Sequence, residues 1–182
     1  EALSDCGVEI VCYNFMPILD WTRTDLARRM PSGATAMYFD AIDFAAYDMF
    51  ILAREHAAQS FETAVREAAT QRFADMSDDR KQELASTVTF GLPGAAQTFS
   101  LDDVRAQLAQ YGAISAERLR QNFVDFLEAV IPTAERLGLR MCCHPDDPPF
   151  PLLGLPRVVS TEADYQYLLD AVRLPANGVT LC

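Results

Sequence analysis

The sequence predicts an α/β fold built on parallel strands, and three observations carry that expectation. Val8 to Phe15, Leu139 to Cys143 and Gly178 to Cys182 are short apolar runs without strict alternation, the pattern of parallel strands covered on both faces. Segments with helical periodicity precede the second run and separate it from the third. The resulting order of strand, helix, strand, helix, strand is the mark of parallel crossovers.

The first strand, Val-Glu-Ile-Val-Cys-Tyr-Asn-Phe, is rich in β-branched and aromatic residues and is stopped by Pro17. Ala27 to Phe39, turning at Pro31-Ser32-Gly33, has the makings of a short hairpin. Helical candidates follow. Asp40 to Leu52 carries an apolar face of Ile42, Phe44, Ala45 and Met49, and Glu62 to Phe73 is rich in alanine. Ser77-Asp78-Asp79 opens a further helix with acidic residues at its positive end, and Ser100 with Asp103 opens another. These elements make residues 21–115 a mainly helical insertion, or cap, between a strand and its helix. Residues 1–20 and 116–182 form the scaffold. There Ser115 caps a helix with the stripe Leu119, Phe123, Phe126, Leu127, Val130 and Leu137, closed by Gly138. Pro132 inside it should either kink it or sit at a bend. Thr161, with Asp164 three residues on, starts the last helix, whose stripe is Tyr165, Leu168, Leu169 and Val172. A closed eight-stranded barrel takes about 250 residues. This scaffold offers three strands, which also suits a short doubly wound sheet.

Composition narrows the function. Of 182 residues half are hydrophobic, and the formal net charge is −11, so one domain with a sizeable core is within reach. The acidic balance argues against a nucleic-acid partner and disfavours an anionic membrane surface. No run of about 18 apolar residues and no basic segment ahead of an apolar one is present, so no membrane span or secretion signal is expected. A reducing cytoplasm suits the five cysteines, Cys6, Cys12, Cys142, Cys143 and Cys182, whose odd count with an adjacent pair does not resemble a disulfide framework. The start at Glu1 without methionine and the stop at Cys182 inside an apolar run suggest a fragment.

His144-Pro145-Asp146-Asp147-Pro148-Pro149 stands directly after the second strand, and Cys182 ends the third. An imidazole and a thiolate at the ends of neighbouring parallel strands, about 4.8 Å apart, resemble two ligands of a transition-metal site at the sheet edge where such folds place their chemistry. The bland alternative is a core cysteine and a loop histidine bonded to backbone. Asp146 and Asp147 would either orient a ligand or serve as solvated turn residues. A second constellation leaves the first strand at the same edge. Asn14, Asp20 and Arg23 offer an amide, a carboxylate and a planar cation, suited to a polyhydroxy acid, and Trp21 can pack on a sugar face or in the core. His56 suits an exposed position, and Gly91-Leu92-Pro93-Gly94 lacks the lysine of a phosphate loop and suits a turn. Cys142 and Cys143 should point to opposite faces of one strand.

Val11-Cys12-Tyr13-Asn14-Phe15-Met16-Pro17, Leu19-Asp20-Trp21-Thr22-Arg23-Thr24-Asp25-Leu26, Gly91-Leu92-Pro93-Gly94, His144-Pro145-Asp146-Asp147-Pro148-Pro149 and Leu153-Gly154-Leu155-Pro156-Arg157 together resemble mannonate dehydratase over the whole chain. The resemblance implies a part of a xylose-isomerase-like (β/α)8 TIM barrel and a hydro-lyase. That family removes water from D-mannonate to give 2-keto-3-deoxy-D-gluconate in hexuronate (glucuronate) breakdown, using Mn²⁺ or Fe²⁺. It also implies that His144 and Cys182 are metal ligands, with Asn14, Asp20 and Arg23 binding substrate. The other two ligands, a histidine and an aspartate, and the histidine and tyrosine that transfer protons would follow residue 182, so the fragment alone is expected to be inactive. A homo-oligomer is expected. The rivals are a metal-dependent sugar isomerase or epimerase of the same fold, whose sites favour carboxylates over thiolate, and a non-catalytic binding or assembly module.

Overall fold

The computed structural model describes residues 1–89 and 99–182, so the expected turn at Gly91 to Gly94 lies outside the described residues. Two compact units emerge. Residues 18–112 form one, inserted in the chain between the two segments, 1–17 and 113–182, that form the other.

The discontinuous unit is α/β. It contains a one-turn helix α1 (Ala2–Asp5) and strand β1 (Ile10–Tyr13), then, past the insertion, helix α6 (Ala116–Arg136), strand β4 (Arg140–Cys143), helix α7 (Glu162–Ala171) and strand β5 (Asn177–Val179). The three strands make a parallel sheet in the order β1-β4-β5. Cys12 lies opposite Cys142, and Cys142 opposite Gly178.

Local chemistry sets the helix limits. The Ser115 hydroxyl accepts from the Arg118 amide at the start of α6, and Thr161 and Asp164 form a complete capping box at the start of α7. At the far end of α6, Gly138 adopts φ +70, the Leu139 amide reaches back to the Ala134 carbonyl and the Gly138 amide to that of Glu135. These two bonds are the Schellman closure, for which glycine is the cheap residue. Pro132 is accommodated within the continuous helix.

The sheet is clad on one side. Tyr13 meets Phe123 and Phe126 of α6 with ring centroids 6.2 and 5.7 Å apart, and Phe15 stacks on Phe123 at 4.1 Å. Leu127, Ile131, Val158, Val159, Leu168 and the Cys143 side chain complete this buried core. The opposite face carries Ile10, 63% exposed, with Cys12 and Arg140 exposed and Cys142 half-buried. Strands covered on both faces were expected; among the described residues of these 182, one face is covered. The strands are also shorter than their apolar runs. Thr180, Leu181 and Cys182 lie beyond β5, so Cys182 does not end a strand.

The inserted unit, taken by itself, begins with the hairpin β2 (Asp25–Arg29) and β3 (Thr35–Tyr38), paired antiparallel with a register shift between Asp25 and Arg28. Helices α2 (Ala41–Ala46), α3 (Thr63–Asp75), α4 (Asp78–Thr89) and α5 (Leu101–Tyr111) follow. The Asp40 carboxylate caps α2, and Ser100 with Asp103 forms a capping box on α5. The helix expected through Leu52 instead widens into a π-helical turn, Tyr47–Ile51, closed by the Leu52 amide on the Tyr47 carbonyl. Two polar nodes hold the unit. Asp43 accepts from Arg72 at 2.6 Å and Arg80 at 3.0 Å, and Asp48 grips Arg54 through two nitrogens.

Candidate functional site

His144 follows β4 directly, and its backbone amide donates to the Tyr13 carbonyl at 2.8 Å, so the ladder with β1 continues through it. Side chains alternate along a strand, which puts His144 on the face of Arg140 and Cys142 rather than on the helix-clad face of Cys143. The imidazole is 7% exposed and its Nδ1 lies 2.8 Å from the Pro145 carbonyl oxygen. A carbonyl only accepts, so in the neutral ring Nδ1 carries the proton and Nε2 carries the lone pair. That is the tautomer a metal ligand bonding through Nε2 requires.

On the neighbouring strand the last ladder bond runs from the Thr180 amide to the Cys143 carbonyl at 2.8 Å. Thr180 is thus next to His144 in register, and its hydroxyl donates to the Cys142 carbonyl and touches the Cys12 sulfur at 3.4 Å. Cys182 is two residues further on and exposed. The structure therefore puts the imidazole and this thiol on adjoining chain segments at the same end of the sheet, one firmly held and one outside the ladder. Among the described residues no three His, Cys, Asp or Glu side chains gather as a metal cluster.

The two aspartates after His144 differ. Asp146 is buried, not a solvated turn residue. Its carboxylate accepts from the Val159 amide at 2.6 Å and the Ser160 hydroxyl at 2.9 Å, and its amide donates to the Val159 carbonyl. Burial raises its pKa above the usual carboxylate range, against the pull of those hydrogen bonds and of the Arg157 guanidinium. Asp147 is half-buried. Arg157, 8% exposed, is a buried cation that its loop sequence Leu-Gly-Leu-Pro-Arg did not single out. Arginine is almost never buried without a reason, so its environment was the missing signal.

Of the expected substrate residues, Asn14 leaves β1 in the α/β unit and is half-buried; Asp20 and Arg23, also half-buried, belong to the inserted unit. Arg23 donates to the Thr22 carbonyl at 2.9 Å, with its guanidinium over the Trp21 ring at 5.8 Å. Trp21 takes φ 52 and is half-buried, between the core and sugar-facing alternatives. His56 is exposed, as its polar surroundings suggested. A depression of about 330 Å³ on the α6–α7 surface, lined by Glu117, Arg120, Thr161, Ala163, Asp164 and Tyr167, includes none of these residues.

A family model described as D-mannonate dehydratase (UxuA) matches residues 1–182. The chain belongs to the D-mannonate dehydratase family. It is 51% identical over 180 residues to a mannonate dehydratase of Chromohalobacter salexigens, covering 99% of this chain and 46% of that protein. The Rhizobium meliloti mannonate dehydratase is also 51% identical over 180 residues, with 99% and 45% covered. The crystal structure of mannonate dehydratase from Streptococcus suis serotype 2 superposes with a TM-score of 0.60 at 27% identity, covering 98% of this chain and 37% of that one. The chain spans about half the length of the curated mannonate dehydratases it matches. No helix among the described residues is long and apolar enough to cross a membrane.

The two adjacent thiols separate as alternation requires. Cys143 is 2% exposed and packs toward Tyr13; burial, then the Asp146 charge, push its pKa up to about 12. A thiol reacts as its thiolate. Iodoacetamide at pH 8 should therefore modify the exposed Cys6, Cys12 and Cys182 first, the half-buried Cys142 more slowly, and Cys143 only after unfolding. Peptide mass spectrometry over a time course reads the order; early labelling of Cys143 would contradict the packing described.

Proposed function

We propose that this chain supplies the first part of the active site of a mannonate dehydratase, a hydro-lyase that converts D-mannonate to 2-keto-3-deoxy-D-gluconate and water in the cytoplasmic breakdown of hexuronates. The observation that carries the reading is His144: within a family match over residues 1–182, the histidine that follows β4 is held in the tautomer a metal ligand needs.

The donor chemistry fits a divalent transition cation. A neutral imidazole and a thiolate suit Mn²⁺ or Fe²⁺ less avidly than Zn²⁺ by intrinsic affinity, so selection between metals would rest on geometry and supply. His144 and Cys182 would hold the ion. Bound there, it would act as a Lewis acid toward the substrate's carboxylate and adjacent hydroxyl. Asn14 would hydrogen-bond a substrate hydroxyl, and Asp20 and Arg23 are proposed as substrate-binding residues on the family resemblance alone, a carboxylate and a planar cation suited to a sugar acid. Overall, the C2–H and C3–O bonds break and the hydroxyl leaves as water. No residue of this chain is assigned to proton transfer, and the 182 residues by themselves are expected to be inactive.

The layering is compatible with the barrel implied by the resemblance. The strands are added in the order β1-β4-β5, and both α6 and α7 pack on one side of them. Successive crossovers that keep to one side are what a barrel wall requires and are shared by one βαβαβ half of a doubly wound sheet, so the family resemblance is what favours the barrel between the two. Subunits are proposed to associate as a homo-oligomer.

Titration of the chelated chain with Co²⁺ or Mn²⁺ tests the donor assignment. Binding is expected, with a thiolate-to-cobalt absorption that disappears in Cys182→Ser and weaker binding in His144→Ala. In the protein that carries this chain, Mn²⁺ added after chelation should restore mannonate turnover. Metal uptake indifferent to both substitutions, or no product with metal restored, would end the proposal.

A further inference from the structure

We propose that Asp146 is a positioning residue for His144, acting through the Pro145–Asp146 peptide to hold the imidazole in its Nδ1–H tautomer. This rests on the reading of His144 as a metal donor only for its functional meaning; the structural coupling stands on the contacts alone.

A peptide group is planar and trans, so its N–H and C=O point in opposite directions. In the Pro145–Asp146 peptide the N–H donates to the Val159 carbonyl at 2.9 Å, and on the other side the C=O meets His144 Nδ1 at 2.8 Å. Whatever fixes the N–H therefore aims the carbonyl at the ring. The Asp146 side chain doubles that fix: its Oδ2 accepts from the Val159 amide at 2.6 Å and from Ser160 Oγ at 2.9 Å, so Asp146 and Val159 are bonded in both directions.

The anchor does not give. Val158 and Val159 are 0% and 1% exposed within the core, and the Ser160 amide donates to Asp164. Asp164 in turn holds the α7 cap and the Arg120 guanidinium of α6 at 2.8 Å. Rigidity thus runs from both covering helices, through residues 158–160 and the carboxylate, to one carbonyl oxygen. Proline at 145 removes one backbone donor and narrows φ, leaving this peptide few other orientations.

The chain has two histidines, so ring nitrogens labelled with ¹⁵N give separable signals, with exposed His56 as internal control. At a pH where the rings are neutral, His144 is expected wholly as the Nδ1–H form. In Asp146→Ala it should move toward the mixture of an unconstrained imidazole while His56 stays unchanged, and Asp146→Asn, which keeps an acceptor oxygen in place, should restore the wild-type signal. Co²⁺ affinity in Asp146→Ala should fall about 10–100-fold, the usual cost of losing a residue that orients a metal ligand. Should the alanine variant not fold, the double variant Asp146→Asn with Ser160→Ala keeps the volume and takes its place, with a partial shift expected. A folded Asp146→Ala, or that double variant, with His144 still wholly Nδ1–H overturns the inference. A wild-type chain that shows the expected tautomer and takes up no Co²⁺ sinks the metal reading instead and leaves the coupling standing.

Discussion

Replacing Phe123 by alanine is expected to cost about 3–5 kcal/mol of folding free energy, the range for a fully buried phenylalanine. Its ring is 0% exposed, stacks on Phe15 at an interplanar angle of 7°, and meets Tyr13 edge-on at 79°. The loss therefore combines transfer of the ring, the cavity left behind and two aromatic contacts. It also has an address. Phe15 and Tyr13 flank Asn14, so the residue proposed to face the substrate loses the stack that holds its strand exit. Urea unfolding of Phe123→Ala against wild type measures the first effect, and faster amide exchange at 13–16 than at α7 measures the second. A cost under 1 kcal/mol would mean that the α6 packing described is not what holds β1.

Asp48→Ala should be nearly as damaging, at about 3 kcal/mol, and its partner gives the sharper result. The Asp48 side chain is 0% exposed and Arg54 17%, joined at 2.9 and 2.7 Å, with Ser60 as a further acceptor for the guanidinium. Burial raises the Asp48 pKa despite Arg54, a sign that desolvation outweighs attraction for this carboxylate. Breaking a buried pair strands a charge, whereas replacing both members with apolar groups can be close to neutral. The double variant Asp48→Ala with Arg54→Met should thus be more stable than Asp48→Ala alone. Equal or lower stability of the double variant, by thermal or urea unfolding, would mean that the Arg54 left behind in Asp48→Ala carries no stranded-charge penalty.

What could be anticipated from the chain was whatever depends on a few adjacent residues. Ser100, Ser115 and Thr161 cap helices because each needs only an amide three positions on, and the closure at Gly138 needs only carbonyls a few positions back. The Pro31-Ser32-Gly33 turn and the opposite orientations of Cys142 and Cys143 follow from equally short-range geometry. Properties set by distant partners were out of reach. For Asp146 the sequence left a ligand-orienting role and a solvated turn both open, since its partner is the main-chain amide of Val159, which no side chain advertises. Thr180-Leu181-Cys182 is strand-like in composition, yet a strand also needs a neighbour to pair with. Cys182 was accordingly expected inside a ladder that stops short of it. The family assignment came through because several spaced motifs agreed, a signal that survives errors in any one element.

The link between α6 and β4 is short. Leu137, Gly138 and Leu139 are all that separate the last helical residue, Arg136, from the first strand residue, Arg140. Each is committed: Leu137 and Gly138 close the helix, and Leu139 is 7% exposed in the core. Such a joint works as a counting device. Since side chains switch sides at every step of a strand, one residue added here would exchange odd for even positions throughout β4. Cys143 would turn outward and His144 would face α6. Length variation in this protein should therefore fall in the inserted unit, where it leaves that parity untouched, and stay away from these three residues.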